Sequence, residues 1–175
     1  MSGVHGHRGK ANLLLLAETP AVDLRPGLQL GADWQGSTGH QAQWCWPSHP
    51  EVPAALGSAS LRHVPAGSTP GAAVWLALCA ALVADELPLL VRLGCPGVGL
   101  AQLQQLHALL VHSDAVFGVT PEGDYAAVGL ACAVPELFAG IPWGTNRVMS
   151  TTRVQARRCG CRISELALPT AVASD

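Results

Sequence analysis

The chain has 175 residues, with 10 Lys+Arg against 12 Asp+Glu, so its net charge is −2 and 13% of its residues are charged, against roughly a quarter in an average soluble domain. A hydrophobic content of 49% excludes a disordered chain. This length buries about 70% of the extended chain's surface in a single core. One lysine, Lys10, and no block of basic residues remove the electrostatic footprint that nucleic-acid binding requires.

The sequence predicts a flexible tail over residues 1–11, one domain over 12–170 and a short tail over 171–175. The first tail is polar, and the apolar stretch after it, Leu13 to Ala17, is too short for a signal-peptide core, which makes the cytoplasm the expected location. The apolar run Gly71 to Ala84 stops at Asp85-Glu86, short of the roughly 20 residues that span a membrane, and reads as a buried core helix. Several of the six cysteines (Cys45, Cys79, Cys95, Cys132, Cys159, Cys161) lie in apolar segments, where a free thiol behaves as a small hydrophobe, so no disulfide framework is expected.

In chain order, Asn12 to Ala17 has the continuous apolar pattern of a strand buried on both faces. From Glu18 to Gly67 the chain is rich in proline and glycine and shows no sustained period. A 50-residue structureless loop would be odd, so short elements must hide there, and Ser60 to Val64 is the best candidate for one. Pro70 suits the first turn of a helix whose body is Gly71 to Ala84, and Leu87 to Leu93 reads as a strand. Leu100, Leu103, Leu106, Leu109 and Leu110 share one helical face, predicting an amphipathic helix from Leu100 to His112. Strands follow at Ala115 to Val119 and Tyr125 to Leu130, separated by the turn Pro121 to Asp124. A helix is expected over Asn146 to Arg158, capped by Thr145 and stopped by Gly160, and Arg162 to Leu168 alternates as a last strand. Strands alternating with helices indicate an α/β three-layer sandwich around a largely parallel mixed sheet.

Such sheets bind ligands at the carboxyl ends of their strands. The turns to inspect are therefore Glu18 to Arg25, Gly94 to Gly99, Pro121 to Asp124 and Phe138 to Arg147. Cys95-Pro96-Gly97 follows a strand, Glu122 and Asp124 share a tight turn, and Trp143, Thr145, Asn146 and Arg147 stand at a helix entrance, where anions are favoured.

At these residues the sequence resembles the glycosyltransferase-like proteins associated with arsenosugar biosynthesis, whose fold is that of nucleotide-diphospho-sugar transferases. Members read Gly-Ser/Thr-Asp-Cys-Pro-Gly, then Glu-Asp-Gly-Gly-Tyr-Tyr-Leu-Ile-Gly-Leu, then Phe-Glu-Gly-Ile-Pro-Trp-Ser-Thr-Asp-Arg-Val. This chain keeps Cys95-Pro96-Gly97, Gly123 with Tyr125 and Gly129-Leu130, and Phe138 with Gly140-Ile141-Pro142-Trp143, Thr145 and Arg147-Val148, over a span from about Leu87 to Leu168.

The resemblance implies Mg²⁺ or Mn²⁺ held by carboxylates against a diphosphate leaving group. Here the acidic positions are eroded. The Asp of the first block is Gly94, that of the third is Asn146, and of the Glu-Asp pair in the second only Glu122 remains, after Pro121. Asp124 stands at a glycine position and would approach from a different point. The basic Lys-Thr-Arg-Leu after the first strand is replaced by Glu18 to Arg25, with Arg25 as the remaining candidate for phosphate. The block Gly-Asp-Leu-Gly-Glu-Arg survives weakly as Ser68 to Ala73 without its charges, and Gln29 to Leu61 looks too short for the elements that members place there.

Two readings follow. The first is a member without maintained metal and diphosphate sites, with no cofactor, serving as a binding or structural subunit of a homo-oligomer or heteromeric complex, since so little charge leaves apolar surface to cover. The second is an active transferase of a nucleotide sugar with Glu122 and Asp124 on Mg²⁺ or Mn²⁺ and Arg25 and Arg147 on phosphate, in which the protein stabilises leaving-group charge. Cys95 reads as a turn residue with a buried thiol rather than a nucleophile, and two thiols in Cys159-Gly160-Cys161 are too few to close a zinc site. His5 and His7 read as solvated tail residues. Trp44 and Trp46 mark one face of a short strand or a partner contact sooner than a ligand stack. Trp143 and Arg147 suit either a base and phosphate or the packing of the following helix.

Overall fold

The computed structural model describes residues 10–17, 22–47, 53–56, 61–65, 69–84 and 86–170. Residues 1–9 of the predicted N-terminal tail, with His5 and His7, and the predicted tail at 171–175 lie outside them. The described residues form β1 (Lys10–Leu16), α1 (Arg25–Thr38), β2 (Ala42–Pro47), β3 (Leu61–Val64), α2 (Pro70–Val83), β4 (Glu86–Arg92), α3 (Leu100–Leu110), β5 (Ala115–Val119), β6 (Tyr125–Leu130), α4 (Val148–Cys159) and β7 (Ile163–Ala167), with short 3-10 turns at Ala54–Leu56 and Pro135–Phe138.

The seven strands form one sheet in the order β3-β2-β1-β4-β6-β5-β7. Every neighbouring pair is parallel except those made by β6, which runs antiparallel to both β4 and β5. The three-layer sandwich around a largely parallel mixed sheet is therefore present. β1 lies in the sheet interior, between β2 and β4, because both of its faces are apolar: Leu13 to Leu16 are at most 1% exposed. On one face Leu13 and Leu15 pack with Leu30 and Trp34 of α1 and with Leu103, Leu106 and Leu110 of α3. On the other, Leu14 and Leu16 pack with Val74 and Leu78 of α2 and with Met149 and Ala156 of α4.

The stretch with no readable period holds α1, β2 and β3. α1 hid because Gly27, Gly31 and Gly36 each lower its helical propensity by about 1 kcal/mol. Close packing explains Gly27: a Cβ there would lie 2.8 Å from Leu93 Cδ2 and 2.9 Å from Trp44 Cη2. Trp44 and Trp46 alternate with Cys45 on β2, all three buried, which removes them as stacking surfaces for a ligand.

Elsewhere the predicted elements are present with ends moved by one or two residues, α4 by two at its start. β1 begins at Lys10, inside the predicted tail. Thr69 caps α2 by accepting the Ala72 N–H at 3.3 Å. α2 lies on the sheet with Ala73, Val74, Ala77, Leu78 and Ala81 inward, but its outer side is apolar too: Ala72, Leu76, Ala80 and Val83 are exposed, Val83 at 84%. The predicted core helix is thus half surface. None of the helices in the described residues is long and apolar enough to cross a membrane.

Candidate functional site

The strand order reverses between β1, which leads to β2 on one side, and β4, which leads through α3 to the other, and the crevice of such a sheet opens at the carboxyl ends there. Four sequence segments converge around this end: the start of α1, the turn after β4, the β5–β6 turn and the approach to α4.

The first holds Arg25. Its Nη2 lies 2.9 Å from Asp23 Oδ2 and its Nε 3.0 Å from Oδ1, while its own backbone N–H donates to Oδ1 at 3.0 Å. The side-chain hydrogen bond from Arg25 is the main cause holding the Asp23 carboxyl below its usual range, and the same bond raises Arg25. Both side chains are solvent-exposed, and the guanidinium predicted for phosphate is forked onto a neighbour two residues away. Residues 18–21, including Glu18, lie outside the described residues.

After β4, Gly94 and Gly97 adopt φ of 90° and 92° in a tight turn. Gly97 abuts the chain after β7, where a Cβ would meet the Pro169 carbonyl at 2.7 Å. Cys95, Pro96 and Gly97 shape this turn: the Cys95 N–H donates to the Arg92 carbonyl at 3.4 Å.

The β5–β6 turn is closed by Thr120 N–H to Asp124 O at 2.9 Å and Gly123 N–H to Thr120 O at 3.1 Å. Gly123, at φ 85°, lets the approach to α4 touch the turn: a Cβ there would fall 2.6 Å from the Asn146 carbonyl, and the Met149 N–H donates to the Gly123 carbonyl at 3.0 Å. The second and third blocks of the sequence are thereby clasped together, with Glu122 and Asn146 both exposed.

Asp124 turns to the protein. Its Oδ2 accepts from Arg92 Nη1 at 3.0 Å, and its Oδ1 accepts the Tyr125 backbone N–H at 2.7 Å. Arg92, the last residue of β4, is 8% exposed, also donates to the Tyr125 carbonyl at 2.8 Å and stands 5.5 Å from the centre of the Tyr125 ring. The sequence reading passed over Arg92, although a lone arginine closing the apolar strand Glu86-Leu-Pro-Leu-Leu-Val-Arg92 was a signal, because a buried charge requires a partner.

Trp143 packs rather than lines an open face. Its ring makes an edge contact with Tyr125, centroids 5.8 Å apart, and covers Gly71 at the start of α2 so closely that a Cβ there would lie 2.3 Å from the indole. Thr145 is not the cap of α4. Its hydroxyl donates to the Pro142 carbonyl at 2.7 Å and accepts the Arg147 N–H at 3.2 Å, forming a turn before the helix, whose N-cap is Arg147 with no side-chain bond. Arg147 is exposed.

The structure thus brings Arg92, Asp124, Tyr125, Gly123, Asn146 and Trp143 to one corner and leaves Arg25 apart, tied to Asp23. Among the described residues the donor set does not fit a divalent cation. Gly94 has no side chain, the Asp124 carboxylate is neutralised by the Arg92 guanidinium and also accepts a backbone N–H, and no group of three or more His, Cys, Asp or Glu suited to a metal occurs among them.

A family profile described as "Uncharacterized protein conserved in bacteria (DUF2064)" matches residues 78–145, from the second half of α2 to Thr145. No curated protein matches. Among solved structures, a candidate nucleotide-diphospho-sugar transferase from Desulfovibrio desulfuricans G20 superposes with a TM-score of 0.74 at 19% identity, over 91% of this chain and 80% of that one. Rv0371c of Mycobacterium tuberculosis H37Rv, in its complex with manganese, gives 0.55 at 13% identity over 93% and 90%. Glucosyl-3-phosphoglycerate synthase from Mycobacterium tuberculosis, in complex with uridine diphosphate, gives 0.60 at 11% identity over 95% and 74%. The fold is that of the nucleotide-diphospho-sugar transferases.

Proposed function

We propose that this is a glycosyltransferase-like protein, placed within the arsenosugar-associated group by its three sequence blocks, that no longer maintains metal-dependent catalysis and serves as a binding or structural subunit of an oligomer or complex. The observation that carries this reading is the Arg92–Asp124 pair. A buried guanidinium neutralises the Asp124 carboxylate and sets a positive charge 3.0 Å from its Oδ2, which opposes a divalent cation at the same group. Arg25 is likewise engaged by Asp23. The second part of the reading is supported by the outer stripe of α2, where Ala72, Leu76, Ala80 and Val83 present an uninterrupted apolar line to solvent.

The alternative is an active transferase of a nucleotide sugar with Glu122 and Asp124 on Mg²⁺ or Mn²⁺ and with Arg147 and Arg25 on phosphate. The manganese and uridine diphosphate complexes of the structural neighbours favour it.

Calorimetric titration with uridine and guanosine diphosphate sugars, with and without Mn²⁺, separates the two. The first reading expects no Mn²⁺-dependent heat. Binding that requires Mn²⁺ and vanishes in Glu122→Gln establishes the second. Light scattering on wild type and on Leu76→Glu/Val83→Lys tests the subunit role: an oligomer that the double variant dissociates supports α2 as its contact, and a wild-type monomer removes homo-oligomerisation.

A further inference from the structure

Away from the crevice, at the opposite end of β5 and β7, three cysteines gather around Asp114. The Asp114 N–H donates to the Arg162 carbonyl at 2.8 Å, and its Oδ2 accepts the Arg162 N–H at 2.7 Å, which seats Cys161 beside it. The Ala131 N–H donates to the Asp114 carbonyl at 2.9 Å, bringing Cys132 to the same corner from the end of β6. Cys159 ends α4, and Gly160 follows in the left-handed conformation at φ 69°. The Cys161 N–H returns to the Ala156 carbonyl at 2.9 Å, and Cys159 Sγ lies 3.6 Å from that same oxygen. This helix stop folds the chain back between the two cysteines so that the Cys159 thiol and the Cys161 backbone share the Ala156 carbonyl. Cys132, Cys159 and Cys161 carry free thiols; Cys132 and Cys159 are exposed and Cys161 is partly so.

Beside Cys161, between α4 and β7, opens a cleft of about 430 Å³ lined by Arg153, Ala156, Arg157, Cys161, Arg162 and Glu165. Glu165 is forked onto Arg153 at 2.7 and 2.6 Å, and Asp114 lies 3.6 Å from Arg162, so three guanidinium groups face two carboxylates. The surplus charge is positive.

We infer that Cys159 and Cys161 form a redox-active dithiol that exchanges with an anionic low-molecular-weight disulfide received by the arginine-lined cleft. The thiolate of exposed Cys159 attacks one sulfur of the disulfide RSSR, forming Cys159–S–S–R and expelling RS⁻. Cys161 then loses its proton to solvent and attacks Cys159 Sγ, expelling the second RS⁻. Two protein S–H bonds are exchanged for one S–S bond, and RSSR is reduced to two RSH. A left-handed residue between the two cysteines keeps their Cα atoms within the roughly 4.4–6.8 Å that a disulfide spans. Burial, and then the Asp114 carboxylate, hold the Cys161 thiol above its usual range, so the second step is the slow one. Its rate rises by about tenfold per pH unit across the neutral and mildly alkaline range, as the thiolate fraction does.

The test treats the full chain with glutathione disulfide and follows intact mass and peptide maps. Wild type is expected to lose two hydrogens and yield a Cys159–Cys161 peptide; Cys161→Ser, or Cys161→Ala if the serine variant misfolds, stops at a glutathione adduct on Cys159. Cys132→Ser behaves as wild type. A stable adduct in wild type equal to that in Cys161→Ser, or a bridge to Cys132 instead, overturns the pairing. Cystamine, a cationic disulfide, is expected to react more slowly at low salt, with the gap closing at high salt and in Arg157→Ala. Equal rates overturn the choice of an anionic disulfide.

Discussion

Replacing Asp124 by asparagine asks directly whether its carboxylate serves the fold or a cation. In the structure the carboxylate neutralises Arg92, whose side chain is 10% exposed, while Asp124 is itself 26% exposed. Breaking a buried pair by removing one partner costs roughly 3–5 kcal/mol, and a hydrogen bond to a charged group contributes about 1.5–3 kcal/mol. The partial exposure of Asp124 and the two contacts Arg92 keeps with Tyr125, at its carbonyl and its ring, place the cost of Asp124→Asn at the low end, about 2–3 kcal/mol. For a chain of this size that is a fall in Tm of about 4–12 °C. Arg92→Met leaves a carboxylate that water can reach, so in its background Asp124→Asn should cost little, giving a coupling of about 1.5–3 kcal/mol in a double-mutant cycle. Thermal unfolding of the four proteins, each with and without Mn²⁺, is the assay. If Asp124→Asn leaves Tm unchanged, while Mn²⁺ raises the Tm of wild type and not that of the variant, Asp124 is a cation ligand and the reasoning fails.

Two further predictions concern packing and pH. Gly71→Ala drives a Cβ to 2.3 Å from the Trp143 indole, so overpacking should cost about 1–3 kcal/mol; in a Trp143→Ala background the same change should be nearly silent, as denaturant unfolding would show, whereas an additive loss would mean the contact is not the cause. His107, half-buried with its ring edge-on to Trp34 at 6.1 Å, has its pKa lowered first by burial and then by His40. The unfolded chain therefore binds a proton there before the folded one does. Stability should fall as pH drops below about 6.5, and urea unfolding at about pH 7.5 and about pH 5.5 should show a smaller difference in His107→Gln than in wild type; an unchanged difference would place the dependence elsewhere.

Much of the fold was legible because its cause is local. Four consecutive leucines in β1 admit a strand buried on both faces, and the leucine spacing of α3 admits one helical face. α1 was illegible for the opposite reason. Its glycines argue against a helix in isolation, yet Gly27 is required where the helix meets Leu93 and Trp44, a contact that exists only once β2 and β4 lie side by side. In the candidate site, the sequence blocks identified the turns, and Gly123 and Trp143 are indeed where those turns meet. What the chain order could not express is that Arg92 and Asp124, 32 residues apart, face each other across adjacent strands β4 and β6.

The sequence by itself determined the α/β alternation, an interior strand buried on both faces and the carboxyl-end turns, since each rests on residue type and near-neighbour spacing. Only the tertiary structure decided the availability of the carboxylate that remains beside Tyr125, because that depends on which charge the folded sheet places against it. Packing likewise turned Trp143 into a cover for Gly71 and drew Cys132 and Cys161 together at Asp114, since hydrogen bonds between elements distant in the chain, not spacing along it, set those neighbours.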